Sequence, residues 1–379
     1  MDDLEHFRSM RDDQPVWRDT ESDTWHVYRY DDVAAVLADY HSYSSDFASV
    51  YPSRADLTEG NIVAMDPPRH DQLRSLVSQA FTPRAIARLR PRIGQLTSEL
   101  LEAVEDRSQI ELVQDLSYPL PVTVIAELLG LPAEDRTQFK AWADALLENS
   151  TLDRGDEAAI AAARVQIGKF HDYLHTHVAR RRVAQGEDLL SDLVAAEVDG
   201  KRLDDGEIVG FATILLLAGH ITTTMLLGNT LLCLDEYPDM QSMLRACPSG
   251  IPLAIEEALR YRSPVPRTAR ITTAEVCVGG QTIPARQMLH VWLLSANHDE
   301  RRFADPDRFV PERSPNPHVA FGRGIHFCIG APLARLEASI ALDVLLQRFS
   351  RIRVDHDHAL EPYRLFNGTR TLHLLVERR

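Results

Sequence analysis

The longest apolar stretch of the chain runs from Ile208 to Leu234, and inside it "LLLAGHITTTMLL" (215–227) is interrupted by a glycine, a histidine and three threonines. The stretch is long enough for a membrane span, which needs about 20 such residues. Its flanks do not suit one: "LDDGE" precedes it and "DEYP" follows it, so both ends are acidic, with no Lys/Arg asymmetry and no aromatic girdle. The pattern therefore predicts a buried central helix of a soluble protein. Asp204 with Glu207 three residues later resembles a capping box that opens the helix, and Pro238 closes it.

Helical periodicity also predicts helices over Asp31–Asp39, Pro67–Phe81, Pro83–Val104, Val122–Leu129 and Ala133–Glu148. Alternation is confined to "TWHVYRY" near the start, "ITTAEVCVGGQTIPARQMLHVW" from Ile271 and "TLHLLVE" at the end. The Gly279-Gly280 pair predicts a hairpin, and strands from both termini are expected to complete one small sheet. The fold class is thus mainly α with a small β region. No internal repeat or low-complexity tract is present, and "SPNPHVAFGRG" is the only long irregular Pro/Gly-rich segment.

Composition narrows the partners. With 379 residues, 44% hydrophobic and 26% charged, the chain has apolar surface for one large domain or two tightly packed lobes. A formal charge of -15 repels phosphate backbones and anionic lipid heads, which argues against nucleic acid and membrane-surface partners while leaving local basic patches open. "MDDLEHFRSMRDDQPVW" has neither the basic start nor the apolar core of a secretory signal, so a cytoplasmic location is expected. Cys233, Cys247, Cys277 and Cys328 lie far apart without CxxC spacing, which fits a reducing compartment better than a disulfide framework or zinc site.

The most informative stretch is "FGRGIHFCIGAPLARLEA" (321–338). Phe321, Gly322, Gly324, His326, Cys328 and Gly330 form the frame F-G-x-G-x-H-x-C-x-G, followed by a helical pattern beginning near Pro332. Glycines at these spacings let a backbone turn sharply and approach a flat ligand. A cysteine just before a helix N-terminus is favoured as the thiolate, which can ligate haem iron and push electron density towards bound dioxygen. A lone cysteine would read as a buried free thiol; the frame around this one resembles the haem-binding loop of the cytochrome P450 family.

That resemblance covers nearly the whole chain and implies a single cytochrome P450 domain over residues 1–379, with a helix-rich lobe and a small β-rich lobe. It implies a long central helix over haem b (iron protoporphyrin IX), with the cysteine loop on the opposite face. Cys328 takes the place of the axial iron ligand, within a cofactor frame that includes Phe321, Gly322 and Gly330. Glu257 and Arg260 in "EEALR" would, in isolation, be a surface ion pair worth about 0.3–0.5 kcal/mol. The resemblance instead makes them structural, locked by Arg308 of the "DRF" segment. His70 and Arg74 in "DPPRHDQLR", Arg270 in "PRTARITT" and His326 match positions that pair the haem propionates; taken singly, each also reads as a solvated surface charge.

"AGHIT" resembles the family's A-G-x-[acid]-T segment on the oxygen-binding side. Ala218 and Gly219 are small enough for close approach, and Thr222 supplies a hydroxyl that can accept from and donate to dioxygen or water, besides bonding back to its own helix. The chain departs from the pattern at Ile221, where the acid is expected. Proton delivery is left to Thr222, His220 and ordered water, with packing as the competing role for His220.

The implied activity is that of a bacterial haem-thiolate monooxygenase that hydroxylates or epoxidises a secondary metabolite. The wording of 215–229 and of "LSYPLPVTVIAELLGLP" most resembles macrolide-tailoring enzymes of antibiotic biosynthesis. No flavin or nicotinamide fingerprint is present, so electrons are expected from a separate ferredoxin and ferredoxin reductase, docking near Arg74, Arg323 and Arg335. Two alternatives stand: a peroxide-driven or O2-independent rearranging enzyme of the same fold, and a haem-thiolate sensor without turnover. By the same resemblance the substrate pocket is lined by 46–64, 145–159, "LLLAGHITTT", the segment after Arg260 and 365–369. Acidic Glu148, Asp153 and Asp156 would attract an amino sugar, or simply be solvated helix-end charges.

Overall fold

The computed structural model describes residues 2–49, 60–78, 80–151, 157–198 and 200–379. Its centre is the helix Asp205–Glu236, of 32 residues. The capping box forms: the Asp204 carboxylate accepts the Glu207 amide at 2.8 Å, and the Glu207 carboxylate accepts the Asp204 amide at 3.2 Å. This helix is apolar over most of its surface because it is packed against the helices Pro119–Leu129, Glu157–Val183, Ile251–Tyr261 and Ala331–Arg348. Its hydrophobic length thus serves the core, in which Ile208, Phe211, Leu216, Leu226, Leu227 and Leu234 are buried.

The other helical expectations are met with shifted ends: Tyr30–Ala38, Arg69–Ser78, Pro83–Glu102, Pro119–Leu129 and Arg136–Thr151. Pro119 begins its helix three residues before the predicted start, because a proline is tolerated in the first turn, where its missing N–H has no partner to lose. Ala133–Asp135 forms a separate 3-10 turn ahead of Arg136.

The expectation of one small sheet is corrected. The N-terminal strands Val16–Asp19 and Thr24–Val27 join Met288–Val291, Thr268–Thr272 and Tyr43–Ser44 in a five-stranded sheet. The C-terminal strand His373–Arg378 lies elsewhere, between Phe349–Val354 and Gln109–Glu111. The Gly279-Gly280 hairpin forms as predicted but pairs only with itself, Val276–Val278 against Gln281–Ile283. Alternation marks which face of a strand is buried and not which strand lies beside it, so the partition could not be read from pattern. The five-stranded sheet has its own buried cluster of Val27, Val33, Ile283, Leu289 and Val291, separate from that around the long helix.

Candidate functional site

Along the central helix one face differs from the rest. Ala218 is exposed and Leu217, Gly219 and Thr222 are partly so, whereas Leu215, Leu216, His220 and Ile221 are buried. Ala218 and Thr222 are four residues apart and stand on one side, the only part of the mid-helix facing open space. The Thr222 hydroxyl donates to the Ala218 carbonyl at 2.9 Å, and Thr223 and Thr224 bond back in the same way to Gly219 and His220.

Two neighbours of Thr222 do not share that face. His220 is 1% exposed, and its Nδ1 lies 2.5 Å from the Leu216 carbonyl, with the ring edge-on to Tyr118. Burial first, set only partly against the Leu216 hydrogen bond, pushes it down to about 4, so it is neutral and turned away from Thr222. Gly219 owes its lack of a side chain to a different neighbour from the expected one: a Cβ would stand 3.2 Å from Cγ1 of Ile125, so glycine here lets two helices approach. Ile221 packs with Ala143 and Met225, flanked by Leu217, Tyr363 and Phe366. A carboxylate at that position would be buried among apolar groups, which costs several kcal/mol, on the order of 3 or more, unless paired.

The cysteine loop is fixed by its backbone. The Cys328 amide donates to the Phe321 carbonyl at 2.9 Å, and the helix Ala331–Arg348 starts directly after Gly330. Gly324 has φ +73°, and a Cβ on it would fall 2.6 Å from the Leu37 carbonyl, so only glycine lets the loop lie against the end of the helix Tyr30–Ala38. Burial pushes the Cys328 thiol up; the Gly330 and Ala331 amides and the Arg74 and Arg335 charges oppose it and favour the thiolate.

Four basic residues predicted from distant segments meet beside this loop. The rings of His70 and His326 stand edge-on with centroids 4.4 Å apart. Both Nε2 atoms are shut off from solvent and have no hydrogen-bond partner. Arg270 is 6% exposed and donates only to the carbonyl of its neighbour Ala269, at 2.7 Å, with no ion pair among the described residues. Burial lowers Arg270 to about 10, and burial with the nearby Arg270, His70 and Arg74 lowers His326 to about 3. Arg74 reaches across to the Phe327 carbonyl. His70 Nδ1 faces the Asp71 carboxylate at 2.8 Å. Buried polar atoms without partners are costly, and with the Arg270 guanidinium among them the cluster is shaped for a polar, anionic group. The residues therefore fit a flat group carrying carboxylates and seated on Cys328.

The E-x-x-R pair is a core element and not a surface one. Both side chains are fully buried, and Arg260 forks onto Glu257 at 2.9 and 2.8 Å. Arg260 also donates to the carbonyls of Asn297, Pro306 and Arg308. Arg308 is not the lock: its side chain is exposed, and only its carbonyl takes part. The second guanidinium on Glu257 belongs to Arg313, at 3.1 and 3.2 Å. Arg308 and Arg313 lie in an irregular segment with no periodicity to say which points inward, so the sequence offered no signal to choose between them.

Of the expected docking arginines, Arg323 is exposed, whereas Arg335 is paired with Glu256 and Arg74 is held by Phe327. Asp153 and Asp156, the side chain of Glu148, and much of 46–64 and 145–159 lie outside the described residues.

Comparison with known proteins agrees with this geometry. The cytochrome P450 family matches residues 4–246 and 251–366. The chain is 48% identical over 351 residues to the cyclomarin C epoxidase CymV of Salinispora arenicola, covering 92% of this chain and 89% of the relative. It is 46% identical over 379 residues to the erythromycin C-12 hydroxylase of Saccharopolyspora erythraea, covering 98% and 94%. A solved structure of a mutant P450 EryK in complex with erythromycin B superposes with a TM-score of 0.91 at 44% identity, covering 98% of this chain and 95% of that one.

Proposed function

The chain belongs to the cytochrome P450 family, and from that premise we propose that Cys328 is the axial ligand of its haem and that His70, Arg74, Arg270 and His326 hold the propionates. It is a monooxygenase whose cofactor is haem and which works with redox partners on a small molecule. When bound, the haem supplies thiolate-ligated iron, at which dioxygen is activated so that one oxygen atom enters the substrate. The observation that carries the assignment is the pair of buried, unpartnered Nε2 atoms beside an unpaired buried Arg270.

In this reading the protein's own groups divide the work. The Gly330 and Ala331 amides point to the Cys328 sulfur and oppose the effect of burial, which raises its thiol. Ala218 keeps the helix face low, and Thr222 holds and passes a proton at its Oγ1 by turning it from the Ala218 carbonyl. His220 packs against Tyr118 and the Leu216 carbonyl and takes no part in that transfer, and Gly219 serves helix packing. With Ile221 facing an apolar cluster, the proton reaches Thr222 through ordered water. Glu257, Arg260 and Arg313 hold the scaffold below the loop.

The substrate class we propose is a macrolide or other large secondary metabolite, as the names of the relatives suggest, entering beside Leu217, Ile221, Tyr363 and Phe366. Electrons come from a ferredoxin and its reductase, and the whole chain acts as one domain in the cytoplasm; the one helix among the described residues long and apolar enough to cross a membrane is mostly buried in the core. The test is spectral. The ferrous carbonyl form should show the thiolate-type Soret band and Cys328→Ala should lose it; a band that survives the substitution would remove Cys328 from the iron. Oxygen uptake with reduced ferredoxin and a bound macrolide is the expected activity, and turnover with hydrogen peroxide alone would replace it with the peroxide-driven reading.

A further inference from the structure

Glu256 precedes the buried Glu257 yet faces another way, towards the segment leading into the cysteine. Its carboxylate accepts from Arg335 Nε at 2.5 Å and Nη2 at 2.9 Å, and from His318 Nε2 at 3.1 Å. His318 Nδ1 in turn accepts the Ala320 amide at 3.3 Å, one residue before Phe321. Burial works against a charge on Glu256, but the hydrogen bonds from His318 and Arg335 outweigh it and hold the carboxyl down to about 2.

The same Arg335 guanidinium stands over the Phe321 ring, 4.5 Å from its centroid. Phe321 is joined to Cys328 by the backbone bond already described, and Arg335 stands in the second turn of the helix that starts directly after the cysteine loop. One cation therefore braces an aromatic ring and projects positive potential onto the sulfur, while Glu256 limits that potential by turning a lone charge into a pair. Arg335 is about one-third exposed, at 35%, so the pair also lies where solvent and a docked protein can reach it.

We propose that Glu256, Arg335 and His318 form a positioning clamp on the cysteine loop that sets the reduction potential of the haem: Arg335 raises it by stabilising negative charge at the iron–sulfur unit, and Glu256 holds it back. The clamp rests on Cys328 being the haem ligand. It acts through Phe321 and the sulfur and touches neither substrate nor dioxygen.

The experiment uses the haem-loaded full chain and reads the ferrous carbonyl spectrum and the one-electron reduction potential. A thiolate-type band in the parent establishes the ligand; its absence there would overturn the ligand assignment and the clamp with it. Given the band, Glu256→Gln should shift the potential upward and Arg335→Gln downward, each changing the reduced-to-oxidised ratio at fixed poise by about three- to tenfold. Arg335→Lys keeps the charge but loses the fork and the flat stacking face. It should hold the potential close to the parent's while losing its thiolate band faster on standing. Potentials that move in the same direction in both Gln variants, or in neither, would reduce the clamp to packing. Should Arg335→Gln fail to take up haem, Glu256→Gln decides alone: an upward shift supports the clamp, and no shift or a downward one ends it.

Discussion

Two clusters of buried charge lie near the cysteine loop, and they are satisfied in opposite ways. In the first, Glu257 takes two guanidinium groups, and Arg260 spends its remaining donors on three carbonyls. In the second, Arg270 has no carboxylate, and His70 and His326 each bury a ring nitrogen with no partner. A closed network indicates a structural element that folding completes by itself. An open one costs stability in the folded chain and marks a place where a ligand completes the bonding. Both are buried and basic, and only the hydrogen-bond inventory tells them apart.

Breaking the closed cluster should have the largest effect. Glu257→Ala leaves two buried guanidinium groups uncompensated and should destabilise the protein by about 3–5 kcal/mol, read as loss of soluble holoprotein or a large fall in denaturant midpoint. Arg313→Ala removes a charge-assisted bond at the edge of the same cluster and should cost about 1.5–3 kcal/mol. Arg308→Ala, whose side chain is exposed, should stay within about 0.5 kcal/mol of the parent. If Arg308→Ala proved the more damaging of the two, the assignment of Arg313 as the lock would be wrong.

The open cluster should respond in the reverse sense. Arg270→Leu removes a buried charge that has no ion pair among the described residues, so the apo form should be as stable as the parent or slightly more so. Haem transfer to an apoglobin acceptor should nonetheless be faster by about tenfold or more, as expected for losing a bond worth about 1.4 kcal/mol or more. Equal haem retention in the variant would mean that Arg270 pairs with nothing the haem brings.

A smaller effect is expected at the five-stranded sheet, where the buried His26 and the half-buried His290 both have hydrogen-bond partners. Trp292 Nε1 donates to His26 Nδ1 at 3.0 Å, and Arg267 stands 3.0 Å from His290 Nδ1. Burial first, and then the Arg267 charge, hold both histidines down to about 4, below the ordinary value of 6.5. The unfolded chain therefore takes up these protons first. Their contribution is present above pH 6.5 and is lost as pH falls from there towards 4. His26→Gln should flatten that part of the stability profile, and an unchanged slope in urea titrations across the range would exclude His26 as a source.

Smallest of all, Gly219→Ala pushes a methyl to 3.2 Å from Ile125 and should cost about 1 kcal/mol, partly recovered by Ile125→Val. A loss of oxygen activation with stability unchanged would instead return Gly219 to the oxygen-binding face.

Much of the site was legible because its residues carry strong local signatures. The glycine frame around Cys328 needs a fixed spacing, and "DPPRHDQLR" places His70 and Arg74 on one helix turn. The long apolar run and its Asp204/Glu207 cap predicted the central helix to within three residues at each end. What the sequence left open shares a different character. Arg308 was chosen over Arg313 in a segment without periodicity; that Gly219 lies against Ile125 is announced by no local pattern; and of the two roles open to His220, its turn towards the Leu216 carbonyl favours packing. The pairing of Glu256 with His318 and Arg335 joins positions 62 and 79 residues apart, and no local pattern announces it.

The amino-acid sequence by itself therefore determined the elements and the side chains they carry: the apolar helix, the cysteine loop, the basic residues and the missing acid at Ile221. Those follow from short-range physics, namely helical period, capping, glycine conformation and the side-chain inventory. Only the tertiary structure decided which of those groups are used up and which are left open. Whether a buried arginine finds a carboxylate, or a histidine nitrogen finds a carbonyl, depends on segments brought together from opposite ends of the chain. Satisfaction of buried polar groups is thus a property of the packed whole, and it separates the scaffold at Glu257 from the ligand-seeking cluster at Arg270.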